Sequence, residues 1–150
     1  MMEQWDMKIY VSFDSNIEKS KFIAETLQSF GHEIINAQLI NENAVSKEKM
    51  LSRFWRYERN KKRIKECDCI IADVSEPGFN AGYDVGFALG AAKRIYLFYT
   101  ENLEDEISIT ITGNSELNVM KFPYSNKEQL KQLLSENFRL VQTVSKGEAQ

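Results

Sequence analysis

Two continuous apolar runs, Cys69-Ile70-Ile71-Ala72-Asp73-Val74 and Arg94-Ile95-Tyr96-Leu97-Phe98-Tyr99, constrain this chain more than any other feature. Runs without polar alternation belong to strands covered on both faces, and the stretch between them, from Asn80 to Lys93, is helical in character. Strand, helix, strand in that order implies a parallel sheet with right-handed crossovers. Other elements extend the pattern. Lys8 to Phe13 reads as a first strand, and Ser15-x-x-Glu18 as a capping box opening an amphipathic helix over residues 16–30 that Gly31 stops. Glu33 to Asn36 is a short second strand, Gln38 to Val45 a loop, and Ser46 to Glu66 one long helix. Leu117 to Phe122 makes a fifth strand, and Ser125-x-x-Glu128 caps a last helix. The expected fold is therefore α/β: a Rossmann-like three-layer sandwich around a five-stranded, mainly parallel sheet. A single domain of residues 1–150 is expected, with its core over about 8–142 and a frayed tail from 143.

Composition bounds the function. With 150 residues, 43% of them hydrophobic, the chain can bury a core without disulfide or metal. Cys67 and Cys69 read as reduced core thiols, since a C-x-C pair and one histidine make no zinc site. His32, directly after the helix stop, reads as a structural residue. No apolar run reaches a membrane span, and the stretch from Met1 to Asp6 lacks the basic and apolar regions of a signal peptide, so a cytoplasmic protein without a membrane partner is expected. The basic residues Arg53, Arg59, Lys61, Lys62, Arg63 and Lys65 share the long helix with an apolar side of Met50, Leu51, Phe54, Trp55, Tyr57 and Ile64. Since the net charge is −3 and no reading motif accompanies them, they read as a solvated face, with no nucleic-acid partner.

In open parallel sheets ligands lie beyond the carboxyl ends of the strands, here after Phe13, Val74 and Tyr99. Beside the second of these sits Pro77-Gly78-Phe79-Asn80-Ala81-Gly82-Tyr83-Asp84-Val85-Gly86-Phe87-Ala88-Leu89-Gly90. Glycines at 82, 86 and 90 cost a helix on the order of 0.5–1 kcal/mol each, which close packing against the sheet or another subunit would offset. Asp84 projects about 200° away from Gly82, and in the first turn of such a helix the dipole would keep it ionised. A carboxylate there serves either as a cap or as a nucleophile able to attack an anomeric carbon. Asn60, Glu58, Tyr10 and the backbone around Asp14 are the candidate second groups; Asn60 shares a helix side with Tyr57 and Ile64 and points inward, whereas Glu58 faces elsewhere.

Ile9-Tyr10-Val11-Ser12, the block Glu66 to Pro77, and Ala81-Gly82-Tyr83-Asp84-Val85-Gly86-Phe87-Ala88 together resemble the nucleoside 2-deoxyribosyltransferase family, including its deoxynucleoside 5′-monophosphate N-hydrolase branch. The resemblance spans roughly residues 8–124 and is most specific from Cys67 to Gly90. It implies cleavage of the N-glycosidic bond of a nucleoside or nucleotide without a cofactor or metal. It places the nucleophile on Asp84, the general acid on Asn60 and a sugar-side tyrosine on Tyr10. Ser12, Asp14, Asp73, Gly78, Asn80 and Gly82, around the same strand ends and helix start, are the further candidate substrate-binding positions. The resemblance also implies a homodimer or higher oligomer in which Ser108 and Asn114 reach the neighbouring subunit's site.

The chain departs from that pattern in ways with physical consequences. Asp84 is one methylene shorter than the family's usual glutamate, and Asn60 cannot donate a proton as an acid would. Phe13-Asp14-Ser15-Asn16 lacks a glycine-rich phosphate cradle, Gly78 stands where the hydrolase branch commonly has serine, and Asp14 would repel a phosphate unless a cation intervenes. These changes argue against a monophosphate substrate. The opening Tyr10 to Ser15 also resembles TIR-like domains, so an NAD-cleaving or nucleotide-sensing module, or an inactive nucleoside-binding relative, is the alternative expectation.

Overall fold

The computed structural model describes residues 6–14 and 16–140. Its strands are β1 (Lys8–Ser12), β2 (Glu33–Ile34), β3 (Cys69–Asp73), β4 (Arg94–Thr100) and β5 (Val119–Tyr124). They form one sheet in the order β2-β1-β3-β4-β5, with every pairing parallel. The two apolar runs lie at its centre as expected, with Ile70, Ile71, Ile95, Leu97 and Phe98 fully buried. Helices α1 (Ile17–Ser29) and α6 (Lys127–Phe138) cover one face through Ile23, Leu27, Leu130, Leu134 and Phe138. On the other face lie α3 (Arg53–Glu66) and α4 (Phe79–Gly90), which bury Ile64, Ala81, Val85 and Ala88. Two short helices, α2 (Glu42–Glu48) and α5 (Ile109–Thr112), complete the chain order. Among the described residues no helix is long and apolar enough to cross a membrane.

Local chemistry explains where the elements start and stop. Gly31 has φ +99°, the left-handed conformation that ends α1 at little cost only in glycine. The expected capping box at Ser15 lies outside the described residues; Asn16 caps α1, its side chain accepting from the Lys19 N–H. At α6 the cap is Asn126 rather than Ser125, and Gln129 reaches back to accept from the Ser125 N–H and hydroxyl. The long helix expected over 46–66 is two helices. Asn41 caps α2 and Ser52 caps α3, each accepting a backbone N–H three residues on, so two independent caps start two helices. The tail from residue 143 lies outside the described residues.

Two further expectations for single residues meet the structure. His32 is buried: Nδ1 accepts from the Met7 N–H at 3.1 Å and Nε2 donates to the Phe138 carbonyl at 2.6 Å, tying the start of β1 to the end of α6. Cys67 and Cys69 are free and buried, and burial pushes their thiols up to about 11 and about 12. Neither thiol is ionised near neutral pH, so a thiol-specific reagent should label native protein far more slowly than unfolded protein. Rapid native labelling at either position would contradict the packing.

Candidate active site

The strand order reverses between β1 and β3, which stay paired to Ser12 and Ala72; the cleft lies beyond their carboxyl ends, where the chain leaves β1 for α1 on one face and β3 for α4 on the other. A cavity of about 360 Å³ opens there. Phe13, Leu39 and Val45 give it apolar wall, and Tyr10, Asp14, Asn60, Asn80 and Asp84 give it polar groups. Glu48, Lys49, Arg56 and Arg59 complete the lining.

Asp84 enters this cavity from α4. The helix begins at Phe79, so Asp84 lies in its second turn, not the first, and the expected help from the helix dipole is weaker there. Burial pushes its carboxyl up to about 6, against a 2.7 Å hydrogen bond from the Ser12 hydroxyl that holds Oδ2; the Asp14 charge adds to the rise. The expectation that the dipole keeps this group fully ionised is thus corrected. Desolvation dominates, and the carboxylate forms mainly above pH 6. Tyr10 is buried on β1, and burial together with the nearby Asp84 charge raises its phenol well above the ordinary range, so it stays a neutral donor.

Asn60 reaches the same cavity from α3, as the sequence implied. Its Oδ1 accepts from Arg59 Nε at 3.1 Å and Nη2 at 2.9 Å, which leaves the amide NH2 as the group it can offer a ligand. Arg59 is fixed in turn by a two-pronged pairing with Glu48 at 2.8 and 2.7 Å and by its position over the Trp55 ring. That pairing holds the Glu48 carboxyl below its ordinary range.

The reading of the basic side chains as a solvated face is corrected in part. Lys62 and Lys65 are exposed, but Arg59 lines the cavity; so does Arg56, which that reading did not include and whose Nε is buried without a hydrogen-bond partner. Residues 56, 59, 60 and 63 share one helical side, a signal present in the sequence but masked by the count of basic residues around it. The apolar side is also corrected: Ile64 is buried, while Met50 is 86% exposed and Phe54 73% exposed. Glycines 82, 86 and 90 face open space, not the sheet, because Ala81, Val85 and Ala88 are the residues that meet it.

The remaining candidates divide. Ser12 is buried against Asp84, and Asn80 lines the cavity. Asp14 accepts from the backbone N–H groups of Asn80 and Ala81, both at 3.0 Å, and so caps α4, whose N-cap residue Gly78 has no side chain to do so. Gly82 is exposed. Asp73 is not brought to Asp84: its carboxylate accepts from the Tyr124 hydroxyl and the Ser75 N–H, with Lys19 at 3.7 Å. Ser108 caps α5 and Asn114 accepts from the Glu116 N–H, both apart from this chain's cavity.

An all-parallel α/β sheet with helices on both faces places this cleft, with its desolvated carboxylate, at the strand ends where ligands of open α/β sheets bind. No family model matches the chain. It is 28% identical over 95 residues, 63% of this chain and 76% of the relative, to a protein of Methanococcoides burtonii that carries the provisional name 2′-deoxynucleoside 5′-phosphate N-hydrolase 1. It is 23% identical over 120 residues, 78% of this chain and 82% of the relative, to 5-hydroxymethyl-dUMP N-hydrolase of Esox lucius. Among solved structures, the CMP N-glycosidase of Clostridium botulinum shares the fold with a TM-score of 0.67 at 21% identity, covering 86% of this chain and 98% of that one. The resemblance to the nucleoside 2-deoxyribosyltransferase family is borne out.

Proposed function

We propose that this protein cleaves the N-glycosidic bond of 2′-deoxynucleosides, with Asp84 as nucleophile. The observation that carries the reading is the Asp84 carboxylate itself, held by Ser12 and facing a cavity of nucleoside size beside Tyr10 and Asn60. The names of the curated relatives support the reaction class.

An Asp84 oxygen attacks C1′, the C1′–N bond breaks, and the base leaves with the electron pair. Asn60 cannot supply a proton, so its amide NH2 and the Arg56 guanidinium stabilise the departing base as an anion. Water then attacks C1′ of the sugar ester, its proton goes to the released base, and the carboxylate is restored. Another base in place of water gives exchange. Phe13, Leu39 and Val45 provide the apolar surface a base ring needs.

Chromatography of base released from a panel of deoxynucleosides and their monophosphates, with and without an acceptor base, tests the proposal. Release to water marks a hydrolase and transfer marks a transferase; turnover of NAD alone would overturn the reading. Because only the ionised carboxylate attacks, kcat/KM should be flat above about pH 7 and fall about tenfold per pH unit below about 6. A profile flat down to pH 4.5 would remove Asp84 from the chemistry.

A homodimer or larger oligomer belongs to the same reading. Met50, Phe54, Trp55, Phe79 and Tyr83 are exposed on α3, α4 and the segment before α3, next to the open glycine stripe. An apolar surface of this kind is commonly covered by a partner, and Ser108 and Asn114 would then reach a neighbour's site. Light scattering should give a mass above the 17.4 kDa of one chain; a monomer at micromolar concentration would remove the shared-site proposal.

A further inference from the structure

We propose that Asp14 determines specificity in this site: its carboxylate, seated on the first N–H groups of α4, receives the 5′-hydroxyl of a 2′-deoxynucleoside and turns away a 5′-phosphate. The inference rests on the N-glycosidase reading and names its substrate class. The start of a helix is an anion seat, with unpaired N–H groups and the positive end of the dipole aimed outward. Here the chain fills that seat itself. Asp14 Oδ1 accepts from the Asn80 N–H and Oδ2 from the Ala81 N–H, across more than sixty residues of sequence.

Two further observations fit a built position rather than an accident of the loop. A Cβ on residue 78 would lie 1.9 Å from Asp14 Oδ2, so glycine at 78 is what makes room for the carboxylate. The same carboxylate lines the cavity that holds Asp84, and its charge is felt there. The proposed reaction puts the base at Asn60 and Arg56 and the anomeric carbon at Asp84, which assigns the sugar's other end to Asp14 and Asn80, the remaining polar groups of the same cavity. Each carboxylate oxygen retains a lone pair able to accept from a hydroxyl. A phosphate brought to the same place meets a fixed negative charge, with its N–H donors already engaged. The cationic groups of the cavity lie with the α2 and α3 residues, where Arg59 is paired with Glu48. The nearby Lys19 is 3.7 Å from Asp73, in an adjoining hollow that Asp14 also borders.

The experiment compares kcat/KM for deoxynucleosides and their 5′-monophosphates in wild-type protein, Asp14→Asn and Asp14→Ser, with inorganic phosphate as an added inhibitor. Wild-type protein should favour the nucleoside by about 100-fold or more and be indifferent to phosphate. Both variants should lower that ratio at least about tenfold, and Asp14→Ser should become sensitive to phosphate. A wild-type preference for monophosphates would overturn the proposal while leaving the N-glycosidase reading intact, and it decides the matter even if neither variant folds. An unchanged ratio in two folded variants would also overturn it. No base release from either substrate class in the wild-type protein would instead overturn the N-glycosidase reading, and this inference with it.

Discussion

Replacing Asp84 with asparagine should slow base release on the order of 1,000-fold or more while making the protein more stable at pH 7. The two effects have one origin. Asp84 is desolvated by its surroundings, so its carboxyl is raised from 3.8 to about 6. A group whose pKa is higher in the folded than in the unfolded state favours folding when protonated and opposes it when charged. The cost is therefore absent below about pH 4, grows between about 4 and 6, and is fully present above 6. Two units correspond to about 3 kcal/mol, an upper figure for the gain in Asp84→Asn at neutral pH. Asparagine keeps an oxygen that can accept from Ser12 but has no charge to desolvate and no comparable nucleophilicity. Urea unfolding at pH 7.5 and pH 4 is the check: the variant should be more stable at the first and indistinguishable at the second. Full activity, or a stability gain independent of pH, would contradict the assignment.

The second large effect concerns the support behind the site. β2 ends at Ile34, yet the edge of β1 continues to Ser12, and the Asn36 side chain takes over where the backbone ladder stops. Its Oδ1 accepts from the Val11 N–H at 3.1 Å and its Nδ2 donates to the Val11 carbonyl at 2.8 Å, with the residue 1% exposed. Asn36→Ala leaves both Val11 groups buried without partners and should cost about 3 kcal/mol. Asn36→Asp keeps an acceptor, loses the donor and buries a charge, so its loss should be larger at pH 7 than at pH 4. Chemical denaturation of the two variants measures this. A loss below about 0.5 kcal/mol in both would show that water replaces the amide without penalty. Because Val11 precedes Ser12, base release should fall in both variants as well.

Much of the fold was legible because its central strands are long in apolar residues and its connections follow the handedness of parallel sheets. Cys69 to Asp73 and Arg94 to Thr100 could be covered on both faces in few other ways. What escaped the sequence was non-local or masked. The break before α3 depends on Ser52 acting as a cap inside a stretch that otherwise reads as continuous helix. Arg56 and Arg59 were hidden among neighbours that do face solvent. The glycine stripe was expected against the sheet or another subunit because small residues usually mark close packing; within the chain Ala81, Val85 and Ala88 take the sheet side and the glycines face open space.

The candidate site was legible through residues on single elements: Tyr10 and Ser12 on β1, Asn60 on α3, Asp84 on α4. Tyr10, Asn60 and Asp84 meet in one cavity because of the order in which the strands pair, and Ser12 is buried behind Asp84. Asp14 was legible as a charge, and its repulsion of phosphate could be anticipated. That it caps α4 through the space left by Gly78 could not, since this contact joins residues far apart in sequence. Asp73, by contrast, has a strand-end position like that of a ligand-binding group, but Tyr124 and Ser75 occupy its carboxylate.

The central step of the proposed reaction is a covalent bond between Asp84 and the sugar. Mass spectrometry of protein acid-quenched during turnover of a 2′-deoxynucleoside tests this most directly. A deoxyribosyl adduct is predicted on the peptide containing Asp84 and should be missing from Asp84→Asn. An adduct on another residue, or rapid base release with no adduct at any time point, would contradict it.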